Sequence, residues 1–174
     1  MTTERSMRAL ALSLIVFGVV AIATPALAGN VGKLRPFNGA YEGSPAVPTT
    51  VTCVVGIPQA AGGTGQANHL GSFTWHAEFC LEFTGVDTVA VNVGFTEIVA
   101  ANGDELHNTW TTTGTVGADG TLSFVQQFSY SGGTGRFERA IGSATAVGTQ
   151  TGDGSSTASW AGELAFDASD RGEG

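Results

Sequence analysis

Apolar and polar residues alternate along most of this chain, and the alternation predicts strands. Between Thr74 and Phe83, the residues Trp75, Ala77, Phe79, Leu81 and Phe83 fall on one side. Thr74, His76, Glu78, Cys80 and Glu82 fall on the other. A period of two with one apolar side marks a half-buried strand. Asp87–Phe95 repeats the pattern with Val89, Val91, Val93 and Phe95 as its apolar row. Thr121–Tyr130 carries Leu122, Phe124, Gln126, Phe128 and Tyr130 on one face. Ala158–Phe166 does the same with Ala158, Trp160, Gly162, Leu164 and Phe166.

Turn residues separate these runs. Asn102-Gly103-Asp104 lies between a strand ending near Ala101 and one spanning Glu105–Val116. Asp119-Gly120 precedes Thr121–Tyr130, and Gly152-Asp153-Gly154-Ser155 divides Ser143–Thr151 from Ser156–Phe166. Asn-Gly and Asp-Gly tolerate positive φ, so between alternating runs they are strong hairpin signals. Taking Phe37–Glu42 and Thr50–Gly56 as the first strands gives about eight, the number of a sandwich or a small closed barrel. Closure is the better expectation, because it removes edges that would pair with other chains.

The N-terminal region follows another rule. Arg5 and Arg8 precede the apolar run Ala9–Ala23, and the small residues Ala26-Leu27-Ala28 follow Pro25. This is the layout of a secretory signal peptide cleaved after Ala28. The apolar run is shorter than the roughly 20 residues a bilayer-spanning helix needs. The expected organisation is a signal peptide over 1–28, one β-barrel domain over 29–167 and a polar, disordered tail over 168–174, in a secreted or periplasmic protein. An oxidising compartment makes a Cys53–Cys80 disulfide the preferred reading over two buried thiols. An outer-membrane barrel would reverse the alternation, with apolar residues outside. Against it, hairpins such as the one through Thr111-Thr112-Thr113 lack interfacial aromatic girdles.

Charge narrows the partners. The whole chain carries a net charge of −8, and only 13% of its residues are charged. Loss of residues 1–28 removes Glu4, Arg5 and Arg8, which makes the remainder one unit more negative. Lys33 is the only lysine. Such a surface repels nucleic acid and anionic lipid, so neither nucleic-acid binding nor membrane insertion of the mature chain is expected.

The segment Tyr130–Thr149 reads YSGGTGRFERAIGSATAVGT. At Gly132, Gly133, Thr134, Gly135, Phe137, Ala140 and Gly142 it resembles the GGTG-x-F-x-x-A-x-G stretch of plant dirigent proteins. It is also similar to the corresponding glycine-rich stretch of allene oxide cyclases. Asn68-His69-Leu70-Gly71-Ser72-Phe73-Thr74 and Ala100-Ala101-Asn102-Gly103-Asp104-Glu105-Leu106 resemble two further stretches of exported bacterial proteins with the same GGTGRF segment. The resemblance spans about residues 65–149. It implies an eight-stranded antiparallel barrel of the calycin type, and a homotrimer as the alternative to a monomer. His69, Gly71, Gly132, Gly133, Thr134, Gly135, Phe137 and Gly142 are then structural, forming a turn and a barrel-closing contact. The earlier tetrapeptide Gly62-Gly63-Thr64-Gly65 lacks the following Arg and Phe and reads as an unrelated glycine loop.

Candidate chemistry is sparse. Gly-x-Ser-x-Gly and the phosphate-binding P-loop are both missing from the sequence. His69, His76 and His107 fall in no zinc spacing. The pairs His76/Glu78 and Glu105/His107 share strand faces, but the first lies on the stripe with Glu82 and reads as solvated surface. No catalytic residue, metal ligand or cofactor is assigned. The aromatics are more informative: Trp75, Phe79, Phe83, Trp110, Phe124, Phe128, Trp160 and Phe166 alternate with polar neighbours and are expected to converge inside the barrel. Of these, Trp75, Phe79, Trp110, Phe124, Phe128 and Trp160 are the candidate ligand-binding set. A barrel of this size is either filled by side chains or holds one small apolar ligand. Binding of a small apolar molecule without turnover is the leading expectation. The alternatives are a cyclase- or isomerase-like enzyme confining a reactive apolar substrate, and a solid structural or partner-binding barrel.

Overall fold

The alternating rows become eight antiparallel strands: β1 (Arg35–Ala46), β2 (Ile57–Ala67), β3 (Gly71–Phe83), β4 (Thr88–Ala100), β5 (Glu105–Val116), β6 (Leu122–Gly133), β7 (Ile141–Gln150) and β8 (Ser156–Ala165). A computed structural model describes residues 32–167 of the chain. The expected signal peptide and the tail 168–174 lie outside the described residues. Each strand pairs with the next, and β8 returns to β1, closing the barrel. Closure gives every strand two partners and leaves no edge. The three turns expected from sequence lie between β4 and β5, β5 and β6, and β7 and β8, with Gly103, Gly120 and Gly154 at φ near +80 to +90°.

One end of the barrel is plugged. Phe37, Leu106, Phe137 and Leu164 are completely buried there, joined by Leu70, Ala140 and Phe166. The ring of Phe137 lies 5.4 Å from that of Phe166, and Phe37 meets Tyr130 edge-on at 5.3 Å. Phe137 comes from a short 3₁₀ turn, Gly135–Phe137, that bridges β6 to β7 across this end.

Three register shifts interrupt the pairing, one of them between Leu106 and Asn108 of β5 against β6. The β3–β4 pairing slips between Phe79 and Glu82, and the β4–β5 pairing slips between Val91 and Gly94. An extra residue in one strand turns every later side chain to the other face. Val89 and Val91 therefore point inward as expected, but Val93 and Phe95 are 67% and 48% exposed. Phe83 is 67% exposed for a different reason: it keeps the alternation of β3 but is the last residue of that strand.

The second strand also differs from expectation. Thr50–Gly56 is not a strand; it belongs to the β1–β2 connection, which folds back against the outer face of β3. The Cys53–Cys80 disulfide fixes it there, with Cα atoms 5.7 Å apart. Beside the bridge, the Glu78 carboxylate accepts from the backbone N–H groups of Thr49 (2.7 Å) and Val51 (2.9 Å). It also accepts from the hydroxyls of Thr49 (2.8 Å) and Thr50. Glu78 lies on the outer face as its alternation implies, yet this strap leaves its side chain only 10% exposed. The strand is instead Ile57–Ala67, which contains the Gly62-Gly63-Thr64-Gly65 tetrapeptide read as a loop. Tolerance of glycine inside this strand has a packing reason. Trp75, the direct partner of Gly63, extends across it to β1, where a Cβ at Gly43 would fall within 3 Å of two indole carbons.

Candidate ligand-binding lumen

The inward rows of the strands meet around a cavity of about 110 Å³. All six candidate binding residues line it: Trp75 and Phe79 from β3, Trp110 from β5, Phe124 and Phe128 from β6, and Trp160 from β8. Two other aromatics expected inside do not. Phe83 stays on the inward row of β3, opposite Val89, but ends the strand beyond Leu81 and is exposed, and Phe166 follows β8 into the plug. Tyr41, Phe73 and Tyr130 complete the aromatic wall. The plug closes one end. Toward the other, the wall continues through Leu81, Leu122, Gln150 and Ser156, all partly exposed. The lumen is thus a one-ended well.

Glycines make room for the indoles. Trp160 faces Gly39 as its direct β8–β1 partner, and Trp110 faces Gly94 across β5–β4. A Cβ on either glycine would lie within 3 Å of ring carbons. A ring laid over a cross-strand glycine recovers the contact area that the missing side chain forfeits. Hydrogen bonds then set the ring orientations. The Trp110 indole N–H donates to Thr96 Oγ1 at 2.8 Å, and that of Trp75 donates to the Glu42 carbonyl at 3.1 Å.

Polar groups are few in the well, and several lack partners. The Tyr41 hydroxyl donates to Gln126 Oε1 at 2.6 Å, tying β1 to β6 across the interior. Burial raises the Tyr41 phenol above its usual range, and it does the same to Tyr130, reinforced by the neighbouring Tyr41. Both phenols stay protonated at neutral pH. Along β5 the inward row runs Leu106, Asn108, Trp110, Thr112, all buried. Neither Asn108 Oδ1 nor Asn108 Nδ2 has a hydrogen-bond partner, and the Thr112 hydroxyl and Trp160 indole N–H also lack one. No Asp, Glu, His, Lys or Arg lines the cavity among the described residues. Tyr41, Asn108 and Thr112 escaped sequence reasoning as site residues. A count in steps of two from Trp110 would have found the last two.

The histidine pairs face outward. His76 Nε2 sits 3.7 Å from Glu78 on the outer wall. His107 Nε2 lies 3.2 Å from Glu105 Oε2, and Glu97 on β4 brings a third potential ligand atom within 4.8 Å of the others. This group is on the outer surface, away from the lumen.

The motif residues sit at the plugged end. His69 adopts φ +66° and Gly71 φ +69° in the β2–β3 turn, where His69 Nε2 approaches the Pro36 carbonyl at 3.2 Å. Gly132 has φ +103° and Gly135 φ +56°. Gly133 packs so closely on the Glu105 carbonyl that a Cβ would collide with it, and Gly142 meets the Glu163 carbonyl in the same way. Thr134 donates its N–H to the Glu105 carbonyl and accepts the Glu105 N–H on Oγ1, both at 2.9 Å. The segment thereby ties the β6–β7 connection to the β4–β5 hairpin and seats Phe137 in the plug.

Compared with protein-family models, with curated proteins and with solved structures, the chain matches none.

Proposed function

We propose that this chain is an exported barrel that binds a small apolar molecule in its lumen without chemical turnover. The observation that carries this reading is the one-ended aromatic well: three indoles and several phenyl rings surround about 110 Å³ of free space. Small-molecule sites are typically concave, mostly apolar and largely preformed, with a few placed polar groups. The acid–base inventory supports binding over turnover, since the titratable groups lining the well are phenols that stay protonated. The disulfide is compatible with export, which rests on the N-terminal pattern. Kinship with the allene oxide cyclase and dirigent barrels belongs to the same reading, with its support in the motif residues at the plugged end. Native mass spectrometry of protein purified from its own host tests the proposal. A reproducible small-molecule adduct, lost on mild activation, is the expected result. Titration with toluene gives an independent check, because all three tryptophans line the well: saturable shifts of their indole N–H resonances are expected. A clean apo mass together with no toluene response would refute it.

A further inference from the structure

The interior of the well is not uniformly apolar, and its polar atoms have a pattern. Asn108 is completely buried, lines the cavity and has no partner for either amide atom. Thr112, two inward positions along the same strand toward the mouth, is buried with an unpartnered hydroxyl. Buried polar groups in folded proteins are nearly always hydrogen-bonded, because an unmade bond costs the desolvation of the group. The barrel satisfies other lumen groups internally, as the Trp110–Thr96 and Tyr41–Gln126 bonds show. Asn108, with a donor and an acceptor both unmet, departs furthest from that balance.

We infer that the lumen selects a small neutral molecule whose apolar body carries one group that both donates and accepts hydrogen bonds, an amide or an alcohol, and that Asn108 binds this group. An unpaired carboxamide offers one donor and one acceptor side by side, which an amide on the ligand complements with two bonds. Neutrality follows from the wall. With no ionisable side chain other than phenols lining the well among the described residues, a carboxylate or an ammonium would be buried without a counter-charge. The size of the cavity restricts the body to about that of a single aromatic ring, since an apolar cavity of roughly 150 Å³ accommodates benzene. This inference rests on the ligand-binding reading above and makes it more specific.

The test uses the full exported chain labelled with ¹⁵N and three probes of one shape: toluene, benzamide and benzoate. Affinities are read from the three tryptophan indole N–H resonances. Benzamide is expected to bind about tenfold more tightly than toluene, from two added hydrogen bonds, and benzoate more weakly than either. Asn108→Leu keeps the branched outline of the side chain, at a larger volume, and removes both unpartnered atoms. It is expected to retain the native spectrum, gain thermal stability and bind toluene and benzamide equally. The comparison of probes on the unaltered protein stands even if that variant does not fold. Equal binding of toluene and benzamide, tighter binding of benzoate, or an Asn108→Leu protein that still prefers benzamide would overturn the inference while leaving the apolar-ligand reading intact. Failure of every probe to perturb the indoles would overturn this inference, and together with a clean apo mass it would overturn the apolar-ligand reading as well.

Discussion

Gly94→Ala tests whether the indoles are locked over glycines. A Cβ at Gly94 would lie within 3 Å of three indole carbons of Trp110, 2.7 Å from Cδ2, where ordinary carbon contacts lie near 3.5–4.0 Å. The ring has little freedom to move aside. It is only 5% exposed, and its N–H is bonded to Thr96 Oγ1, which is itself buried. Overpacking of this kind costs about 1–3 kcal/mol, and losing the indole hydrogen bond adds about 1 kcal/mol. Alanine within a strand is intrinsically better than glycine by about 0.5–1 kcal/mol, so the net destabilisation is about 1–3 kcal/mol. With a urea m-value of about 2 kcal/mol/M, the unfolding midpoint followed by circular dichroism should fall by about 0.5–1.5 M. Gly152→Ala is the control: nothing lies within 4 Å of the position its new methyl group would take, so a change within about ±0.5 kcal/mol is expected. The sign decides the matter. A Gly94→Ala protein more stable than its parent would show that the ring is free to shift and that the well is not preorganised.

Three further predictions bear on the strap and the plug. Replacing Cys53 and Cys80 by Ser releases a bridge of sequence separation 27, for which chain-entropy reasoning gives about 3.5 kcal/mol. The melting temperature should fall by about 10 °C, and an unchanged value would mean that the strap stabilises nothing. Glu78 is held down from 4.5 to about 2 by the Thr50 hydroxyl and then by the Thr49 N–H and hydroxyl. Its folded-state value lies below its unfolded one, so its contribution is present above pH 4.5 and is lost as the pH falls toward 2. Acid titration of stability should therefore be shallower in Glu78→Gln than in the parent across that window, and identical profiles would contradict the assignment. Phe137→Ala empties a completely buried position in the plug and should cost about 3–5 kcal/mol in urea denaturation.

Much of the barrel was legible in the sequence because its determinants are local. Asn102-Gly103-Asp104, Asp119-Gly120 and Gly152-Asp153-Gly154 encode turns through backbone conformation, and period-two rows encode a two-faced wall. Errors arose where the cause is long-range. The inversion at Val93 and Phe95 comes from a register shift against β5, which neither residue signals alone. Gly62-Gly63-Thr64-Gly65 has loop composition, but as β2 it packs between β1 and β3, where Trp75 extends across Gly63 toward Gly43. Thr50–Gly56 carries strand-like valines, yet Glu78 and Cys80 draw the segment onto the outer wall of β3. The aromatic half of the well was readable for the same reason as the turns, since each ring marks its own face. The polar half was not: Asn108 becomes unusual only when its neighbours on β4 and β6 are known to offer it nothing.

The two ends of the barrel divide the work. The turns with positive φ at His69, Gly71, Gly132 and Gly135 all lie at the plugged end, where close backbone contacts such as Gly133 on Glu105 permit Phe37, Leu106 and Phe137 to seal the interior. That end therefore carries much of the packing, which frees the opposite half to keep free space beside Trp110 and Phe79. The strap acts on this looser half, since Cys80 and Glu78 clamp β3 immediately beside the inward residues Phe79 and Leu81. A cavity in a β-barrel is held open by a rigid wall or it collapses, because unfilled apolar space forfeits dispersion contacts on every side. The disulfide and the hydrogen bonds that Thr49, Thr50 and Val51 donate to Glu78 are placed where that rigidity is needed. Loss of the strap should consequently be felt inside the well, as altered indole resonances of Trp110, before it is felt in the plug around Phe137.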